Sequence, residues 1–114
     1  MPLLKIQTNV TLTDEGRDAL LAEASRGVAE MLGKPERYVM VTLEDSCLMA
    51  FAGDGGPLAY LELKSIGLPA DRTGELSLAL CALVGGALDV PSERIYIEFA
   101  DADRAMWGWN GGTF

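Results

Sequence analysis

The sequence predicts an α/β fold in which two βαβ units form one four-stranded mixed sheet with two helices on one face. Three observations carry that prediction. Apolar residues alternate with polar ones in four short runs and recur at helical spacing in two longer ones, ordered strand-helix-strand, twice. The two halves echo each other. Pro35-Glu36-Arg37-Tyr38-Val39-Met40-Val41 leads into the second strand much as Pro91-Ser92-Glu93-Arg94-Ile95-Tyr96-Ile97 leads into the fourth, and Arg37 and Arg94 lie half a chain length apart. A length of 114 residues suits one domain spanning 1–114, with pseudo-repeat halves at about 1–57 and 58–114. Each half would be a right-handed crossover between parallel strands.

Leu3 to Thr8 reads as the first strand, with Leu4 and Ile6 on one face and Lys5 and Gln7 on the other. Thr13 is placed to cap the first helix, and Asp14 and Glu15 put negative charge in its first turn. Leu20, Leu21, Ala24, Val28, Met31 and Leu32 recur at helical spacing until Gly33 closes the helix and Pro35 prevents its continuation. Val39, Val41 and Leu43 alternate with Met40, Thr42 and Glu44 as a half-buried strand. Residues 45–50 carry no decisive pattern, and Gly53-Asp54-Gly55-Gly56-Pro57 is a turn or loop.

The third strand sets Ala59, Leu61 and Leu63 against Tyr60, Glu62 and Lys64, ending at Ser65-Ile66-Gly67. Asp71 is the candidate cap of a second helix whose Leu76, Leu78, Leu80, Leu83, Val84, Ala87 and Leu88 leave little polar face. A helix apolar nearly all round is expected to be covered on more than one side, and Gly85-Gly86 permits close packing. The last strand sets Ile95, Ile97 and Phe99 against Tyr96, Glu98 and Ala100, before an aromatic, glycine-rich tail. The sheet face away from the helices, carrying Tyr96 and Glu98, would need a partner surface.

An apolar content of 49% is high for so short a chain, which favours apolar surface facing another subunit. A net charge of -8 argues against nucleic acid, whose phosphates call for basic stripes. The absence of histidine removes Ser-His-Asp and Cys-His catalysis and the commonest metal ligand together; no metal site and no cofactor are expected. Cys47 and Cys81 fit no paired motif and suit a reducing compartment. No apolar run reaches ~18 residues and no signal peptide is evident, so a soluble, cytoplasmic protein without membrane contact is expected, with any secretion by a non-classical route.

The first two residues carry the candidate chemistry. A start methionine before a small residue is normally trimmed, which would leave Pro2 with a free secondary amine. A generic α-amino group titrates near ~8, and burial or a nearby cation lowers that value. An amine so tuned and fixed to the end of a strand can serve as a base. Met-Pro is also a common start with no function attached.

Pro2, Thr8-Asn9-Val10, Gly33-Lys34-Pro35, Tyr38, Leu48-Met49-Ala50-Phe51, Ser65-Ile66-Gly67, Arg94-Ile95-Tyr96-Ile97 and Gly108-Trp109-Asn110 form an ordered set across the whole chain. It resembles the macrophage migration inhibitory factor branch of the tautomerase superfamily. The resemblance implies the doubled βαβ fold, a homotrimer whose sheets wrap a central channel, and active sites between subunits. It also implies keto-enol tautomerisation of a small aromatic 2-oxo acid such as phenylpyruvate, or of dopachrome-like compounds. Pro2 would take the α-proton and return it, as general base and then acid. Lys34 would bind the substrate carboxylate and help keep Pro2 neutral, although a lysine after a helix C-cap is favourable in any case. The backbone N–H of Ile66 would donate to the substrate, and Ser65 beside it would also belong to the substrate-binding residues. Tyr96 of the partner subunit would close the pocket, and Tyr38, Trp109 and Phe114 would wall it. Trp109 and Phe114 could equally staple the tail to the next subunit.

The departures from the family pattern bear on rate and range. Leu58 and Leu61 stand where vertebrate members have a Cys-x-x-Cys, so thiol-disulfide exchange is not expected. Glu98 replaces a pocket asparagine: either it is a rim glutamate in water, or it raises the pKa of Pro2 and repels anionic substrates. Trp107 replaces a smaller residue at the pocket mouth and would narrow the substrate range. Two other functions stay open. One is a hydratase- or dehalogenase-like relative using Glu98 to activate water, for which no pocket arginine is identified. The other is a cytokine-like protein acting on a receptor with vestigial catalysis. Alanine or glycine at Pro2 separates enzyme from signal.

Overall fold

The computed structural model describes all residues, 1–114. β1 (Leu3–Thr8) lies inside a four-stranded mixed sheet of order β2-β1-β3-β4, with β2 at Met40–Glu44, β3 at Ala59–Ile66 and β4 at Ile95–Ala102. β1 runs parallel to β2 and antiparallel to β3, and β3 runs parallel to β4. α1 (Asp14–Leu32) and α2 (Thr73–Leu88) connect the two parallel pairs. The period-2 pattern sends Leu4, Ile6, Leu61, Leu63 and Ile95 into a core with Leu20, Ala24, Val28, Leu76, Leu80, Val84 and Leu88 from the helices. Thr8 is the polar exception on that face. Its hydroxyl donates to the Leu58 carbonyl at 2.7 Å and accepts from Val10 N at 3.1 Å, so its burial leaves no group unpaired.

Local chemistry sets the boundaries of α1. Thr13 Oγ1 accepts from Gly16 N at 3.0 Å. Gly33 closes the helix at φ 63°, and Lys34 N donates back to the Ala29 carbonyl at 3.0 Å. α2 differs from expectation at its start. A 3₁₀ turn at Ala70–Arg72 precedes it, and Asp71 makes no cap; the helix begins after Arg72 with no side-chain capping bond. It ends at Asp89, left-handed at φ 55°. The expected cover on more than one side is also missing within the chain, where Leu78 is 75% exposed.

The echo between the halves has a structural counterpart. Pro35 and Pro91 each open a 3₁₀ turn, at Glu36–Tyr38 and Ser92–Arg94, that delivers the chain to β2 or β4. Arg94 then anchors the preceding loop, donating to the carbonyls of Phe51, Asp54, Gly56 and Pro57. After a further turn at Arg104–Met106, the tail folds into a hairpin of β5 (Gly108–Trp109) and β6 (Gly112–Thr113). Asn110 and Gly111 turn it with φ of 53° and 78°, the doubly left-handed geometry that Asn-Gly supplies most readily.

The outward sheet face is charged. Glu62 sits between Lys5 at 3.6 Å and Lys64 at 3.3 Å. Tyr60 donates to Glu98 at 2.8 Å. No helix is long and apolar enough to cross a membrane.

Candidate active site

Strand register decides what meets the N-terminus. Leu3 lies opposite Lys64, so the residues before Leu3 run alongside the end of β3 at Ser65 and Ile66. On the other flank the Pro2 carbonyl accepts from Met40 N at 3.0 Å, and the Met1 amine donates to the Tyr38 carbonyl at 2.8 Å. Pro2 is thereby held between β2 and β3 with its side chain fully buried.

The Gly33 turn points Lys34 back to the same place, where Nζ donates to the Ile66 carbonyl at 3.3 Å. Ser65 is buried beside it, its hydroxyl 3.4 Å from that carbonyl. Ile66 thus engages Lys34 through its oxygen. The Met1 amine is held below its ordinary value of 8.0, first by burial and second by the positive charge of Lys34.

The C-terminal hairpin supplies the walls. The Tyr38 ring meets those of Trp109 and Phe114 edge-on, each at 5.6 Å between centroids, and Trp109 stacks on Phe114 at 5.2 Å. These three, with Trp107, Arg37, Val39 and Met40, surround Met1 and Pro2 in a cavity of about 440 Å³. A buried proline next to the terminal amine, aromatic walls and a cation behind them suit a flat, anionic molecule.

The structure therefore brings together Pro2, Lys34, Tyr38, Ser65, Ile66, Trp107, Trp109 and Phe114. It does not bring Tyr96 or Glu98 to them within one chain. Tyr96 lies level with Tyr60 and Gln7, at the opposite end of the sheet from Pro2. There it contacts the Phe51 ring at 4.7 Å and lines a separate cavity of about 270 Å³. Glu98 is exposed on the outward face, bound by Tyr60. Sequence reasoning found no arginine for the pocket, yet Arg37 lines it, with its guanidinium carbon 4.8 Å from the Tyr38 ring centroid. Its place immediately before Tyr38 was the available signal.

A doubled βαβ sheet with Pro2 at the floor of an aromatic cavity defines a protein of the tautomerase fold class. The family model described as Macrophage migration inhibitory factor (MIF) matches residues 1–114. The chain is 36% identical to the macrophage migration inhibitory factor of Meriones unguiculatus over 115 residues, covering 100% of this chain and 99% of that one. The homolog of Brugia malayi gives the same identity and coverage. Among solved structures, the homologue from Prochlorococcus marinus superposes with a TM-score of 0.92 at 44% identity, over 98% of each chain. That from Trichinella spiralis gives 0.90 at 30%, over 98% of this chain and 99% of its own. The chain belongs to the macrophage migration inhibitory factor family.

Proposed function

We propose that the chain is a cofactor-independent keto-enol tautomerase acting on a small aromatic 2-oxo acid, with the mature Pro2 nitrogen as general base and acid. The observation that carries this is the seat of the N-terminus. Pro2 is buried at the cavity floor, and the amine one residue away is already held low by burial and by Lys34. Once Met1 is removed, the secondary amine of Pro2 would lie in the same buried surroundings near Lys34, and both favour the neutral form of an amine.

The chemistry is a single proton moved twice. Neutral Pro2 removes the proton from the carbon beside the carbonyl, the carbon-carbon double bond forms, and the Pro2 ammonium gives that proton to the carbonyl oxygen and is neutral again. The reverse direction removes the enol proton and protonates carbon from the Pro2 ammonium. Lys34 attracts the substrate carboxylate, and the rings of Tyr38, Trp109 and Phe114 stack against the aryl group. The site is completed by a homotrimer, in which Tyr96 and Glu98 of the partner subunit approach the cavity mouth. Unpaired outer edges on β2 and β4 and the exposed side chains of Met40, Leu48 and Tyr96 support such an assembly.

Substituting Pro2 by glycine tests the proposal. Enol-to-ketone conversion of phenylpyruvate should fall by about 10²- to 10⁴-fold, the usual contribution of a positioned base. Activity within about threefold of the unsubstituted protein would remove Pro2 from the mechanism.

A further inference from the structure

The Pro2 cavity has two cations around it, and only one is committed inside the protein. Lys34 sits behind the N-terminal amine with Nζ on the Ile66 carbonyl. Arg37 lines the cavity and is solvent-exposed, its guanidinium stacked over the Tyr38 ring at 4.8 Å from the centroid, which holds it in place without neutralising it. Arg17, Arg72 and Arg94 all pair with carboxylates of the chain; Arg37 pairs with none and donates no side-chain hydrogen bond. The five N–H groups of its planar guanidinium therefore have no acceptor within the chain.

We infer that Arg37 is a specificity residue that selects substrates carrying a second carboxylate: a planar 2-oxo acid whose far end, away from the reacting carbon, bears another anionic group. The inference rests on the tautomerase reading of the same cavity. Three features converge on it. The cavity is walled by aromatic rings, with Arg37 in its lining and Lys34 behind its floor. The chain carries a net charge of -8, so a dianion is repelled everywhere except where local cations converge. A guanidinium fork also matches a carboxylate in two-point geometry, which a solvated ammonium does not. Arg37 acts on binding and orientation and takes no part in proton transfer.

The test compares two substrates, phenylpyruvate and para-carboxyphenylpyruvate, on Met1-free protein and on its Arg37→Gln and Arg37→Lys variants. The ratio of kcat/KM for the dianion over the monoanion should fall about five- to tenfold in Arg37→Gln, through KM, as expected for a solvent-exposed charge-assisted pair. Arg37→Lys should keep part of the preference, and added salt should erode it in the unsubstituted protein. A ratio that stays constant across the variants, or an equal loss on both substrates, would overturn the inference. Quenching of tryptophan fluorescence by the non-reacting pair cinnamate and para-carboxycinnamate reads the same selectivity without turnover. Failure to convert either keto acid would then count against the tautomerase, while the ratio of dissociation constants still decides the role of Arg37.

Discussion

The terminal amine of this chain is that of Met1, hydrogen-bonded to Tyr38 O; on the proposed mechanism the adjacent Pro2 nitrogen becomes the amine that matters once Met1 is removed. A base must be neutral to act, so a lowered pKa extends activity toward lower pH. Lys34 contributes to the lowering, and Lys34→Ala should therefore move the acid limb of the rate-pH profile to higher pH while raising KM for carboxylate substrates about tenfold. An unshifted limb would leave burial as the sole cause. On the outward face the hydrogen bond to Glu98 and burial hold the Tyr60 hydroxyl protonated, pushing its pKa from 10.0 to about 12. The folded state keeps that proton longer than the unfolded one, so the stabilisation is complete below pH 10.0 and is lost as pH rises toward about 12. Tyrosinate absorbance should show one late-titrating tyrosine, absent in Tyr60→Phe and earlier in Glu98→Asn. The same Glu98→Asn variant should speed phenylpyruvate turnover if Glu98 repels anions at the shared site; an unchanged rate-pH profile would retire that role. Pro2, Lys34 and Tyr38 were legible because the family pattern fixes them in order. Arg37 was not, since an exposed arginine in a short turn looks like any solvated cation until the register places it over a ring.

Elements were legible where one residue settles a backbone question. Thr13 supplies an acceptor to an unpaired helical N–H, Gly33 takes a left-handed φ without strain, and alternation alone fixed both faces of β3. Asp71 misled because a cap must sit just before the first helical turn, and the 3₁₀ turn at Ala70–Arg72 displaces that point beyond it. The β5–β6 hairpin was missed although Asn110-Gly111 announces such a turn, because its strands are too short to show alternation. The Gly85-Gly86 pair separates two physical effects. A Cβ on Gly85 would lie 2.8 Å from the Val90 carbonyl oxygen and 3.2 Å from Ile95 Cδ1, so α2 packs against the following segment only with glycine there. A Cβ on Gly86 meets nothing within 4 Å. Thermal unfolding should therefore show Gly85→Ala destabilised by about 1–3 kcal/mol and Gly86→Ala stabilised by about 0.5–1 kcal/mol. Equal effects at both positions would mean that the close approach is not what selects Gly85.

At the scale of the molecule, the fold was legible from repeated strand-helix-strand order, but the distance between Tyr96 and Pro2 within one chain follows only from the register of β1, β3 and β4. Two groups of aromatic residues lie at opposite ends of one sheet and line separate cavities, Tyr38, Trp109 and Phe114 with Pro2, and Phe51 with Tyr96. A ring of subunits is the arrangement that lets one chain's second group meet the next chain's first. Sedimentation should give three times the 12.2 kDa chain mass. Leu48→Glu, altering a fully exposed side chain beside Met49 and Phe51, should weaken the assembly and lower turnover together as protein is diluted. A monomer with undiminished activity would rule out a shared site. The most direct measurement of all pairs intact mass with the phenylpyruvate rate across preparations that differ in how much Met1 they retain. The rate should rise in proportion to the Met1-free fraction and vanish when Pro2 nitrogen remains in an amide bond; full activity from chains that keep Met1 would contradict the central role of that nitrogen.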